Sequence, residues 1–198
     1  RLISHAAHLP VHLGSAQLSV AAVLKSLDPE RGDIVVLNDP HRGGTHLNDV
    51  TVVAPLFVGR RRVGFLLNRA HHNDVGGVEP GGLMGASTLA EEGVCIPPTW
   101  LQRKGRRCDQ VWNLFRDEMR EPEARRGDLE AQCAALYRGS VRFLDLVDRF
   151  GADTLSRSMD ELHRHGAQLC RAMLSTWPDG SVAVRDWLDG ASTPLIRL

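Results

Sequence analysis

The chain has no surplus of charge: 24 Lys and Arg balance 24 Asp and Glu, for a net charge of +0 and a pI near 7.3. Phosphate binding needs a positive excess, so nucleic acid is excluded as the main partner. No apolar run approaches the ~20 residues that span a bilayer, and no membrane protein is expected. The first residues, Arg1 to His5, lack the layout of a signal peptide. Cysteine pairs are missing too. Cys95, Cys108, Cys133 and Cys170 are scattered and read as reduced thiols of a cytoplasmic protein. Neither a P-loop nor a dinucleotide fingerprint is present, so no nucleotide site is expected on this chain. Repeats and low-complexity segments are also absent. What remains, 198 residues at 42% hydrophobic and 24% charged, is an ordinary globular composition for one domain or one plus an appendage.

Histidine is the unusual abundance. Seven of the nine, His5, His8, His12, His41, His46, His71 and His72, fall within the first 72 residues. More than half of the 19 glycines lie between Gly32 and Gly93. Leu18 to Leu24 suits a short helix, ended by Pro29, Arg31 and Gly32. Strands are predicted near residues 34–37, 50–57 and 62–67, with Gly59-Arg-Arg61 turning between the last two. Asn38 to Asp49 and His71 to Pro98 read as loops. From Pro122 the period changes. Leu129, Cys133, Leu136, Tyr137, Val141, Leu144 and Val147 step by three and four as far as Gly151. Leu155, Met159, Leu162, Leu169 and Met173 form a second stripe, and both stripes read as core packing. Ser181 to Val184 reads as the start of a further strand. The expected fold is mixed α/β, with strands and loops over residues 1–121, helices over 122–178 and a further segment from 179 to 198.

The strongest constellation is His46-x-x-Asp49 together with His71-x-x-Asp74, each placed by sequence in a Gly-rich loop near a strand end. Two imidazoles and a carboxylate suit a divalent transition ion such as Mn, Fe, Zn or Ni, with positions left open for water or substrate. The competing reading has His46, His71 and His72 capping turns or satisfying buried carbonyls. Gly43-Gly44 and Gly76-Gly77 are turn glycines or places where a ligand approaches the backbone. Glu91 and Glu92 are candidate general bases, or solvated surface carboxylates.

Several motifs, in order, carry a family resemblance. They are Leu9-Pro-Val-His-Leu-Gly14, Asn38-Asp-Pro-His-Arg-Gly-Gly-Thr-His-Leu-Asn-Asp49, Ala70-His-His-Asn-Asp-Val-Gly-Gly77 and Glu92-Gly-Val-Cys-Ile-Pro-Pro98. Arg126-Gly-Asp-Leu-Glu-Ala-Gln132 and Arg142-Phe-Leu-Asp-Leu-Val-Asp-Arg-Phe-Gly151 continue the series. Together they resemble the hydantoinase B/oxoprolinase family, which includes N-methylhydantoinase B subunits, one half of 5-oxoprolinase, and the equivalent subunits of acetone and acetophenone carboxylases. Members of that family are much longer, so the resemblance implies an internal fragment that exposes apolar surface its missing parts would cover.

The resemblance implies a metal site as well. In the related carboxylases the B-type subunit holds a divalent metal, Mn in acetone carboxylase, through two histidines and an aspartate; matched here, these are His46, Asp49 and His71. Many relatives have an aromatic residue at the position of His41, and some have Trp at that of His72. The implied activity is ATP-dependent hydrolysis of a cyclic amide, a hydantoin or 5-oxoproline, within a hetero-oligomer. An A-type partner would hold ATP and Mg and phosphorylate the carbonyl oxygen, while this chain carries a divalent ion, Mn, Zn or Fe. Asp74 or His72 would be the nearest base, and His12 a substrate or outer contact. Carboxylation of a ketone and a non-catalytic, metal-stabilised scaffold are the alternatives.

Overall fold

A computed structural model describes residues 2–5, 10–81, 86–181, 183–186, 196 and 197. His8, Leu9 and Val182 lie outside them. The chain divides into two compact units, Arg1–Ser156 and Arg157–Leu198.

In the first unit a 3-10 turn, Pro10–His12, leads into α1 (Leu13–Ser26), followed by β1 (Ile34–Leu37), β2 (Asp49–Val58) and β3 (Arg61–His71). The single-turn helix α2 (Leu89–Glu92), β4 (Thr99–Arg103) and β5 (Arg106–Arg107) come next. Two helices then follow, α3 (Asp109–Glu118) and α4 (Pro122–Phe150). The five strands form one antiparallel sheet in the order β3-β2-β1-β4-β5.

Strand side chains alternate between faces, and the two cores follow that alternation. Ile34, Val36, Val50 and Val52 pack with Val111, Trp112 and Phe115 of α3 and Leu129 and Leu136 of α4. Val35, Leu37 and Val53 pack on the other face with Val20 and Val23 of α1. Strand β1 is buried at all four positions because helices cover it on both sides, which is why its sequence is apolar without a break.

The hairpin β2–β3 is irregular at one point. Val58 pairs with Arg61 and Phe57 with Arg62, but Leu56 pairs with Gly64, which leaves Val63 as an extra residue in β3. From there the register runs regularly to Asp49 opposite His71. The extra residue is a β-bulge.

The three strands predicted between residues 34 and 67 are present, and β2 and β3 run further than expected. Asp49 opens β2 and His71 closes β3, so neither belongs to a loop. Strands β4 and β5 and helix α3 fall in the stretch read as strand and loop up to residue 121. Helix α3 escapes a periodicity reading because only Val111, Trp112 and Phe115 among its ten residues are buried. The first stripe does form α4, which starts on Pro122 and ends before Gly151, at φ +80. Tyr137 is the exception on that helix, 72% exposed. Arg125 and Gln132, at helical spacing with Leu129 and Leu136, are buried in its place.

Helix α5 (Ala152–Leu174) crosses into the second unit. Its stripe is not a core: no residue of α5 is buried, and Leu162, Leu169 and Met173 are exposed. Residues 181, 183 and 184 carry no strand; the pairing begins one residue on, with β6 (Arg185–Asp186) against β7 (Ile196–Arg197). Among the described residues no helix is long and apolar enough to cross a membrane.

Candidate metal centre

Asp49 and His71 meet because they face each other across the β2–β3 ladder. Opposed residues share a face, so both project toward the side of the sheet that carries α1. His46 joins from the loop before β2. A turn closed by Asp49 N–H donating to His46 C=O at 3.0 Å brings the two side chains together. His46 Nδ1 lies 3.0 Å from Asp49 Oδ2, and His71 Nδ1 lies 2.9 Å from Oδ1. The two rings stand edge to face with centroids 6.3 Å apart. Each of the three residues offers one donor atom, and these atoms lie within 4.8 Å of one another.

Burial alone would hold the Asp49 proton on, since the side chain is 1% exposed. Hydrogen bonds outweigh it. Thr45 Oγ1 donates to Oδ2 at 2.5 Å, His71 supports Oδ1, and His46 N–H donates to Oδ2 at 3.3 Å. The result is a carboxyl brought down to about 2 and ionised at neutral pH. The imidazoles beside it are about half exposed. A dry anionic carboxylate between two half-exposed imidazoles is a donor set that fits a divalent transition ion.

His12 also reaches this site. Its Nε2 is 3.9 Å from Asp49 Oδ1, and its Nδ1 is 3.3 Å from Arg69 Nη1. Arg69 lies two residues before His71 on β3 and therefore on the same face. Its guanidinium donates to Thr51 Oγ1 at 2.8 Å, Ser15 Oγ at 2.5 Å and Ser19 Oγ at 2.9 Å. Thr45, Arg69, Ser15 and Ser19 were not singled out by sequence. The period-two spacing of Arg69 and His71 was the available signal for one of them.

The remaining candidates lie elsewhere. His72 follows His71 and so turns to the opposite face. It is 2% exposed, bonds Gln132 Oε1 through Nε2 at 2.8 Å and meets the Phe115 ring edge to face. Burial lowers its pKa, only partly offset by Gln132. Its place as a base is corrected to one in the core. Asp74 is neither a ligand nor a partner of an imidazole: its carboxylate accepts from Arg120 N–H at 2.5 Å, Arg120 Nη1 at 2.9 Å and Gly76 N–H at 3.3 Å. That pairing ties the loop after β3 to the end of α3. Glu91 caps α2, accepting from Ser87 and Thr88 N–H. What approaches the glycine pairs is the chain itself. A Cβ on Gly44 would lie 2.2 Å from Asn38 O, and one on Gly77 would lie 2.2 Å from Glu92 O.

Beside the centre, a cavity of about 500 Å3 runs between β3 and α4, lined by Asn68, His71, Asn73, Arg125, Asp128 and Gln132 among others. His71 thus borders both the ligand set and a space large enough for a small molecule.

The hydantoinase B/oxoprolinase family model matches residues 1–198. The chain belongs to this family. The caprolactamase subunit beta of Pseudomonas jessenii is 33% identical over 175 residues, covering 87% of this chain and 30% of that one. The crystal structure of ATP-dependent caprolactamase from the same organism superposes with a TM-score of 0.84 at 31% identity, over 92% of this chain and 32% of that one. The 5-oxoprolinase of Dictyostelium discoideum is 30% identical over 176 residues, 87% of this chain and 14% of the relative. A nucleotide-free acetone carboxylase shares the fold, with a TM-score of 0.67 at 17% identity over 73% of this chain and 20% of that one. The chain therefore spans less than a third of the length of these relatives.

Proposed function

We propose that this chain forms the metal-holding part of a B-type subunit in an ATP-dependent hydrolase of cyclic amides, of the hydantoin, 5-oxoproline or lactam class. The observation that carries the proposal is the His46–Asp49–His71 cluster, in a family whose relatives include a caprolactamase subunit and a 5-oxoprolinase. An unstrained cyclic amide resists cleavage, which calls for coupling to ATP. The nucleotide is assigned to an A-type partner, as the family resemblance implies; relatives of this chain are named as B or beta subunits.

Within that assembly Asp49, His46 and His71 hold a divalent ion, Mn, Fe or Zn by donor type. When bound, such an ion polarises a carbonyl oxygen. Thr45 keeps Asp49 ionised and fixed, and the solvent-facing imidazoles leave the outer side open to substrate. The cavity along β3 and α4 gives a small ring room next to His71.

The test is metal analysis of the full-length subunit, followed by ATP-dependent turnover of hydantoin, 5-oxoproline and caprolactam with its A-type partner. His46→Ala and His71→Ala should each remove most of the metal and all ATP-coupled turnover while the helical circular dichroism stays intact. Metal without turnover of any of these amides, partner present, would make the centre a structural one.

A further inference from the structure

His12 touches the site, yet its contacts set it apart from the three ligands. Arginine is a donor only and keeps its proton at any working pH. The Nδ1 that faces Arg69 Nη1 at 3.3 Å must therefore be the acceptor, with its lone pair directed at the guanidinium. A neutral ring with a bare Nδ1 carries its hydrogen on Nε2. Nε2 is the atom turned to the metal centre, 3.9 Å from Asp49 Oδ1. To ligate an ion through Nε2, the ring would have to move its proton to Nδ1, against the N–H of Arg69. Arg69 cannot yield readily, because its three nitrogens are each held, Nε by Thr51, Nη1 by Ser15 and Nη2 by Ser19.

We propose that His12 serves the centre as a hydrogen-bond donor through Nε2–H, aimed at an oxygen of the bound substrate, and that Arg69 is the positioning residue that fixes this tautomer. The proposal rests on the metal-centre reading for its ligand set, while the tautomer itself stands on contacts within the chain. The ring is in a position to act. Its side chain is 32% exposed, and it sits at the start of α1, on the face where Asp49 and His71 converge. The ligand class is a carbonyl or carboxylate oxygen held next to the ion.

Long-range nitrogen–proton NMR on the full chain with 15N-labelled histidine reads the tautomer directly, with no metal added. His12 should show a protonated Nε2 and a bare Nδ1, and Arg69→Gln should let the other tautomer appear. A wild-type His12 protonated on Nδ1 overturns the proposal whether or not the metal reading holds.

Cobalt binding separates the roles. His12→Ala should bind Co2+ as the wild type does, and His71→Ala should not. Equal loss in both variants would make His12 a ligand and overturn the proposal, whereas full retention in His71→Ala would sink the metal reading instead. Acetate, titrated into the cobalt-loaded protein and followed by visible absorption, stands in for the substrate oxygen. A hydrogen bond to a charged oxygen is worth enough that His12→Ala should bind acetate about tenfold more weakly. His12→Gln, which places an amide N–H near Nε2, should restore most of that loss. Equal acetate affinity in wild type and His12→Ala would overturn the donor role.

Discussion

At the scale of single residues, adjacent or identical side chains are separated by what each one can bond. His71 and His72 are neighbours, yet one faces solvent beside Asp49 and the other is sealed against Phe115. Burial lowers the pKa of His72 from its ordinary 6.5, so the folded chain binds that proton less well than the unfolded chain does. Stability is therefore complete above about 6.5 and falls as pH drops through that value toward the lowered one. Urea unfolding at pH 7.5 and 5.5 should show this loss, and His72→Gln should flatten it. Gln132 joins the same cluster: it accepts from His72 and donates to Val50 O at 2.9 Å and Asn68 Oδ1 at 3.1 Å. Gln132→Leu strands two buried groups, on His72 and Val50, and a half-buried one on Asn68, and should cost about 2–4 kcal/mol in denaturant melts. Its importance is hidden in the sequence, where a glutamine on an apolar stripe looks like a lapse in the pattern.

At the scale of elements, legibility followed length and repetition. Helix α4 and the strand β1 announce themselves, the one by a long 3.6 period and the other by an unbroken apolar run. The clustered residues His46 and Asp49 were legible by their spacing, and His71 by its residue type, the repeated spacing and the family resemblance. Asp74 misled because it repeats the His-x-x-Asp spacing; what claims it is Arg120, 46 residues away, which no local pattern reports. Close approach is equally silent in sequence. Gly44→Ala would drive a Cβ to 2.2 Å from Asn38 O and should destabilise by ~1–3 kcal/mol or more, loosening the loop that carries His46. Gly127, inside α4 with nothing within 4 Å of its would-be Cβ, is the counter-case. Gly127→Ala should stabilise by ~0.5–1 kcal/mol through the helix backbone alone. Thermal melts of the two variants should move in opposite directions.

At the scale of the whole molecule, apolar surface and register decide behaviour. Leu162, Leu169, Met173 and Trp177 stand exposed in the second unit, so Leu162→Lys with Leu169→Lys should leave the urea midpoint of the sheet unit unchanged and reduce binding of an apolar dye. Unchanged dye fluorescence would show that this face does not attract apolar ligands. The extra residue at Val63 has a wider reach. Were Val63 paired with Leu56 rather than bulged out, Ala70 would come opposite Asp49, and His71 and Arg69 would turn to the face that carries α3 and α4. The chemistry of the hairpin's far end thus depends on whether a count is odd or even, settled about 25 Å from the imidazole it selects. Deleting Val63 should make the hairpin regular and keep the metal. Adding one residue between Gly64 and Phe65 should abolish metal binding with the circular dichroism nearly intact, although neither change touches a ligand. In this protein a shift of one position far along β3 can act as a substitution within the His46–Asp49–His71 cluster.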